Sequence, residues 1–153
     1  MNVLFVCYGN ICRSPMAEFI FKDMIKRNGL ENNFYIESAA TSYEEIGNDM
    51  HYGTISKLKQ LNIPFDHRKA RRVTIEDYNK FDYILGMETM NVRDIIRIVG
   101  NDYDNKIYRL LDFSNKPRDI ADPWYTGNFD ITYKDILEGC NAFLNHIKGD
   151  KNG

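Results

Sequence analysis

Short apolar runs alternate with helix-period segments along the whole chain, and no other feature restricts the fold as much. Val3-Leu4-Phe5-Val6 reads as a buried strand, and Met16 to Ile25 as a helix that ends at Arg27-Asn28-Gly29. Phe34 to Ala40 is a second strand, followed by a polar loop from Thr41 to Asn48. His51 to Leu61 sets Ile55, Leu58 and Leu61 on one helical face, and Ile63-Pro64 breaks it. Thr74-Ile75-Glu76-Asp77 is a capped helix start. Phe81 to Met87 is a third strand, and Glu88 to Val99 a helix with Ile95, Ile96 and Val99 inward, closed by Gly100. Lys106 to Leu111 is a fourth strand, with a loop from Asp112 to about Phe129 after it. The last helix, about Asp130 to Lys148, spaces Ile136, Leu137, Cys140, Phe143, Leu144 and Ile147 along one face. Strand–helix alternation predicts an α/β, three-layer, doubly wound domain with a parallel sheet and helices on both faces. Residues 1–153 read as one domain, with no repeat or linker, and 43% hydrophobic residues are enough for a sizeable core.

In such sheets ligands bind beyond the strand C-termini. The first strand ends there in Cys7-Tyr8-Gly9-Asn10-Ile11-Cys12-Arg13-Ser14-Pro15, a turn into a helix N-terminus. Free backbone N–H groups and the helix dipole make such a turn an anion site. Gly9 is expected to let the backbone approach a ligand closely, and Pro15 suits the first helical turn. Cys7 makes the cradle reactive. A free thiol has a pKa of about 8.5, which a helix N-terminus and a nearby Arg lower to roughly 3.5–7.5. Arg13 can grip two oxygens of a phosphate, and Ser14 can donate a hydrogen bond to the sulfur.

Cys7-x5-Arg13-Ser14, extended to Val6-Cys7-x-Gly9-Asn10-Ile11-Cys12-Arg13-Ser14-Pro15-Met16-Ala17-Glu18 near the N-terminus, resembles the phosphate loop of the low-molecular-weight protein tyrosine phosphatases. The resemblance covers essentially the whole chain. It implies a four-stranded parallel sheet and hydrolysis of phosphotyrosine monoesters through a phosphocysteine intermediate; no Cys/His cluster has zinc spacing and His51, His67 and His146 are scattered, so no metal or other cofactor is expected. Cys7 would be the nucleophile, Arg13 the phosphate clamp, and Asp122 of Ala121-Asp122-Pro123-Trp124-Tyr125 the general acid and base. Tyr8, Gly9, Asn10, Ile11, Cys12 and Ser14 would bind substrate within the loop, and Trp124 with Tyr125 would wall an aromatic ring. Asn10 and Ser38 would hold the loop by side-chain hydrogen bonds. The family's loop-supporting histidine falls near His67, but about one extra residue between Ile63-Pro64 and Thr74 breaks the match, so His67 is left out of the site.

Cys12 is expected to capture an oxidised Cys7 as a disulfide, which makes the site redox-sensitive. Cys140 reads as core. Three cysteines fit a reducing compartment, and the chain enters its first strand with no charged leader, so a cytoplasmic enzyme is expected. A net charge of −2 offers no field for nucleic acid or membrane. The expected partners are phosphotyrosine proteins, with phosphate and other oxyanions as inhibitors. The basic run His67-Arg68-Lys69-Ala70-Arg71-Arg72 reads first as a solvated surface, and second as a field that draws in anionic substrate.

The nearest alternative is a protein arginine phosphatase of the same family, but those relatives carry Thr where this chain has Ile11, and Ile11 favours phosphotyrosine. A non-catalytic phosphate-binding module would need neither Cys7 nor Asp122. Thioredoxin-coupled arsenate reductases need redox cysteines in mid-chain, and none lies between Cys12 and Cys140.

Overall fold

The computed structural model describes residues 1–152. Four parallel strands, β1 (Asn2–Cys7), β2 (Tyr35–Ala40), β3 (Tyr83–Gly86) and β4 (Ile107–Arg109), form one sheet in the order β2-β1-β3-β4. The helices are α1 (Arg13–Arg27), α2 (Tyr52–Gln60), α3 (Ile75–Lys80), α4 (Thr89–Val99), α5 (Pro123–Thr126) and α6 (Phe129–Asn152).

The alternating side chains of each strand build two cores. Val3, Phe5 and Cys7 of β1, with Leu85 of β3, pack against Phe21 of α1, Leu58 of α2 and Phe143 of α6. Leu4, Val6, Ile84 and Ile107 point the other way, onto Tyr78 of α3 and Ile95 of α4. These are the helix faces the sequence spacing predicts: Ile136, Cys140, Phe143, Leu144 and Ile147 of α6 are all buried. Both sheet faces are therefore covered, as a parallel sheet requires. The connections from β1 lead to β2 on one side and the later strands lie on the other, so the topological switch falls between β1 and β3.

Three local expectations are corrected. Helix α1 begins at Arg13 rather than Met16, because the Cys12 carbonyl already accepts the Met16 N–H at 3.2 Å. Strand β4 stops at Arg109 rather than Leu111. Asp112 accepts from the Arg109 N–H at 2.8 Å and from its Nε at 2.9 Å, which tightens Leu110–Phe113 into a 3-10 turn. Residues 112–129 are not simply loop. They contain α5, whose first residue is Pro123 and whose end is set by Gly127 at φ 66°. Asp122 before Pro123 and a Gly after the last turn are the start and stop signals of a helix, compressed here into one turn.

Candidate functional site

The turn after β1 wraps Cys7, which is 3% exposed. Ser14 Oγ lies 3.0 Å from Cys7 Sγ, and the Asn10 N–H donates to the same sulfur at 3.2 Å. The amide can only donate, whereas at the Ser14 contact either atom can be the donor. Asn10 has φ 59°. The left-handed residue of the loop is thus Asn10, not Gly9, because Asn is the non-glycine residue that tolerates this region with a short polar side chain to secure it. A Cβ at Gly9 would meet Glu45 Cγ at 3.4 Å, an ordinary van der Waals contact.

Asn10 is held from every direction. Its Nδ2 donates to Ser14 Oγ at 2.8 Å and to Ser38 Oγ at 2.9 Å. Ser38 Oγ, near the end of β2, in turn donates to Glu18 Oε1 at 2.6 Å. The Arg71 N–H donates to Asn10 Oδ1 at 3.3 Å. Arg68 Nη2 donates to both the Asn10 carbonyl and Asn10 Oδ1. Asn10 and Ser14 are fully buried, so their side chains brace the loop from behind and do not line the cleft.

The basic run is also corrected. Arg68 is half-buried against the loop, Arg71 pairs with Asp77 at 2.9 and 3.1 Å, and Arg72 donates to the Thr41 carbonyl while lying over the Tyr43 ring at 4.2 Å. Three of its charges are engaged internally rather than spread as a solvated face or a steering field. His67 contacts Asp49 on the surface, away from Asn10.

Arg13 is 2% exposed and spans the switch point. Its Nη1 donates to Glu88 Oε2 at 3.0 Å, just beyond β3, and to the Ile120 carbonyl at 3.1 Å. Its Nη2 reaches Asp122 Oδ2 at 3.3 Å. Burial works against the Arg13 charge, but the Cys7 sulfur, Asp122 and Glu88 overcome it, and the guanidinium is held above its ordinary pKa. Asp122 Oδ1 accepts the Trp124 N–H at 3.0 Å, so the carboxylate is fixed as the N-cap of α5.

A cleft of about 380 Å³ opens over this constellation, lined by Tyr8, Gly9, Ile11, Cys12, Arg13, Glu88, Asp122, Trp124 and Tyr125 together with Glu44, Glu45 and Met90. Tyr8, Trp124 and Tyr125 are exposed around its mouth, at 44%, 73% and 85%. The Tyr8 hydroxyl donates to Glu44 Oε1 at 2.8 Å. Cys12 is different from Cys7: burial first, and the neighbouring Cys7 charge second, push its thiol up to about 12. Burial likewise raises Cys140, which lies in the core.

Glu88, Arg68, Glu18, Glu44 and Glu45 are the site residues that sequence reading missed. The buried Ser38–Glu18 link had a trace in the Glu that closes the motif string. No periodicity marks which basic residue of 67–72 turns inward.

The model of the low molecular weight phosphotyrosine protein phosphatase family matches residues 2–152. The chain is 41% identical over 153 residues to the Bacillus subtilis low molecular weight protein-tyrosine-phosphatase YfkJ, covering 99% of this chain and 98% of that one. It is 37% identical to PtpA of Staphylococcus aureus, named in the same way, over 99% and 97% of the two chains. The crystal structure of YfkJ superposes with a TM-score of 0.94 over 99% and 96% of the chains. A Drosophila arginine phosphatase superposes with a TM-score of 0.88 at 31% identity, over 97% and 98%.

Proposed function

This chain belongs to the low molecular weight phosphotyrosine protein phosphatase family, and from that premise we propose that it hydrolyses phosphotyrosine monoesters with Cys7 as nucleophile and Asp122 as general acid and base. One observation carries the reading. One cleft is lined by a buried guanidinium and a carboxylate 3.3 Å from it, beneath exposed aromatic rings, at the loop that wraps a buried sulfur accepting the Asn10 N–H.

The phosphate dianion enters between the loop N–H groups and Arg13. Glu88 and the Ile120 carbonyl hold Nη1, so the Nε and Nη2 edge of the fork meets two phosphate oxygens, the phosphate taking the place at Nη2 that Asp122 Oδ2 holds at 3.3 Å. Cys7 sulfur attacks phosphorus in line as the bond to the tyrosine oxygen breaks, and Asp122 gives its proton to that oxygen. The N–H groups and Arg13 stabilise the charge spread over the equatorial oxygens. Water then attacks the phosphocysteine. Asp122 takes its proton, phosphate leaves, and the electron pair returns to a sulfur stabilised by Ser14 and the Asn10 N–H. Tyr8, Ile11, Trp124 and Tyr125 surround the substrate ring.

An aliphatic Ile11 at the cleft wall favours a flat phenyl ring over the polar guanidinium of phosphoarginine. The chain acts as one domain of 153 residues, in a reducing compartment such as the cytoplasm, on phosphoproteins, with free phosphate as a competing ligand. A peroxide that converts Cys7 to a sulfenic acid would let the Cys12 thiol displace water and form a Cys7–Cys12 disulfide.

The test is turnover of p-nitrophenyl phosphate and of phosphotyrosine, phosphoserine and phosphoarginine peptides in EDTA. Phosphotyrosine is expected to be preferred, and Cys7→Ser to abolish turnover while phosphate still binds. Turnover that survives Cys7→Ser refutes the mechanism, and a preference for phosphoarginine refutes the substrate.

A further inference from the structure

We propose that Arg68 is a positioning residue for Cys7: acting through Asn10, it locks the phosphate loop in the conformation that supports an anionic sulfur. The proposal rests on Cys7 being the nucleophile. Arg68 lies 58 positions from Asn10 in sequence, in the segment before α3, yet one nitrogen of its guanidinium serves two acceptors of that single residue, the carbonyl and Oδ1. Asn10 is the loop residue with φ 59°, and its N–H is the one aimed at Cys7 Sγ at 3.2 Å. Left-handed backbone is unfavourable for a residue with a Cβ, so the loop relaxes unless something holds it. Both ends of the Asn10 side chain are fixed, Oδ1 by Arg68 and the Arg71 N–H, Nδ2 by Ser14 and Ser38. The carbonyl is fixed by Arg68, which holds the peptide plane after Asn10; the N–H that reaches the sulfur belongs to the plane before it, and the two are linked through the φ of 59° that these bonds together maintain.

Stability alone does not favour this placement. Arg68 Nη1 is buried with no hydrogen-bond partner among the described residues, and an unmet buried donor is destabilising. The charged groups acting on Arg68 are Glu18 from α1, Cys7 from the end of β1, and Asp49 from the loop ahead of α2. Asp49 also accepts the Arg68 N–H at 3.2 Å, fixing the backbone from which the side chain reaches inward. Burial lowers the pKa of the guanidinium, and those three groups pull it back. Arg68 is thus a second cation near Cys7, bonded to the loop at Asn10 and absent from the lining of the substrate cleft to which Arg13 contributes. It strengthens the anion without occupying the phosphate site.

The experiment compares the wild type with Arg68→Met and Arg68→Lys. Iodoacetamide alkylation of Cys7 is followed by peptide mass spectrometry across pH, beside kcat and KM for p-nitrophenyl phosphate. Arg68→Met is expected to alkylate Cys7 about tenfold more slowly at mildly acidic pH, with the alkylation profile displaced upward in pH and kcat reduced more than KM is raised. Arg68→Lys is expected to recover most of the alkylation rate. If Arg68→Met does not fold by circular dichroism, Arg68→Gln, neutral and of similar reach, replaces it. A neutral variant with the wild-type alkylation profile overturns the proposal, as does Arg68→Lys impaired as deeply as the neutral variant. Alkylation needs no turnover. A wild type inert toward p-nitrophenyl phosphate would refute the phosphatase reading, while the alkylation comparison still judges Arg68.

Discussion

Replacing Asp122 separates proton transfer from the structural work of the same side chain. One carboxylate oxygen faces Arg13 Nη2 at 3.3 Å and the other caps α5 through the Trp124 N–H at 3.0 Å. Asp122→Ala removes both contacts, and loss of a cap is worth about 0.5–2 kcal/mol of local helix stability. Asp122→Asn keeps an oxygen for the cap and removes only the proton donor and the charge. General acid catalysis contributes about 10²–10⁴-fold, or roughly 3–5 kcal/mol of barrier. Both variants are therefore expected to lose about 10²–10⁴-fold in kcat on a phosphotyrosine peptide, because a phenol with a pKa near 10 leaves poorly as the bare oxyanion. On p-nitrophenyl phosphate, whose leaving group departs more readily unprotonated, the loss is expected to fall below about tenfold. Removing the anion beside Arg13 is also expected to tighten inhibition by free phosphate. The assay is steady-state kinetics on the two substrates for both variants. Equal losses on the two substrates would refute the acid role. A large loss for Asp122→Ala with none for Asp122→Asn would assign the residue to the α5 cap alone.

Two further outcomes follow from the packing around the site. Cys12 has a folded-state pKa of about 12 against an ordinary value of 9.0, so its proton is bound more tightly in the folded protein; that contribution is complete below pH 9 and is lost as pH rises from 9 toward 12. The fall in Tm over that window is expected to be steeper for the wild type than for Cys12→Ser, and parallel falls would refute the shift. At the back of the sheet a Cβ on Gly139 would meet Leu110 Cγ at 2.5 Å, and Leu110 is completely buried. Gly139→Ala is expected to be destabilising by about 1–3 kcal/mol through overpacking, offset in part by about 1 kcal/mol of helix propensity; an unchanged urea midpoint would refute the tight contact.

The sequence made the layers legible because strands and helices announce themselves by period. Leu4 and Val6 face one core, Val3 and Phe5 the other, and a parallel sheet covered twice is the arrangement that buries both sets. The motif residues were legible for a related reason: Cys7, Arg13 and Ser14 are close in sequence, and a single strand–turn–helix unit determines their geometry. What stayed hidden was long-range. Glu88 lies 75 positions from Arg13, and Arg68 lies 58 from Asn10. Pairings of that kind are set by which loops the sheet order brings to one edge, and a basic residue that turns inward has the same spelling as one that faces water. Gly9 and Asn10 illustrate a finer limit. Both residue types accept left-handed backbone, and only the bonds available to a side chain at that point decide which one takes it.

Those bonds also explain how a short loop can hold reactive geometry. Asn10 connects four parts of the chain: the sulfur at the end of β1, Ser14 in the first turn of α1, Ser38 in β2, and the Arg68–Arg71 segment that runs toward α3. Three of those parts belong to elements packed in the two cores. Loop motion that withdraws the N–H from Cys7 must therefore break buried hydrogen bonds to several of them together, and each broken bond leaves a buried polar group unsatisfied. On the other side of the sulfur, the carboxylate of Asp122 sits at the head of a single helical turn, with Trp124 and Tyr125 exposed beyond it. The Cys7 sulfur is held by the core, while Asp122 rides on a single helical turn with two exposed aromatic rings. On the proposed mechanism, a substrate ring that settles between Tyr8 and Trp124 draws Asp122 toward the leaving oxygen without disturbing the sulfur.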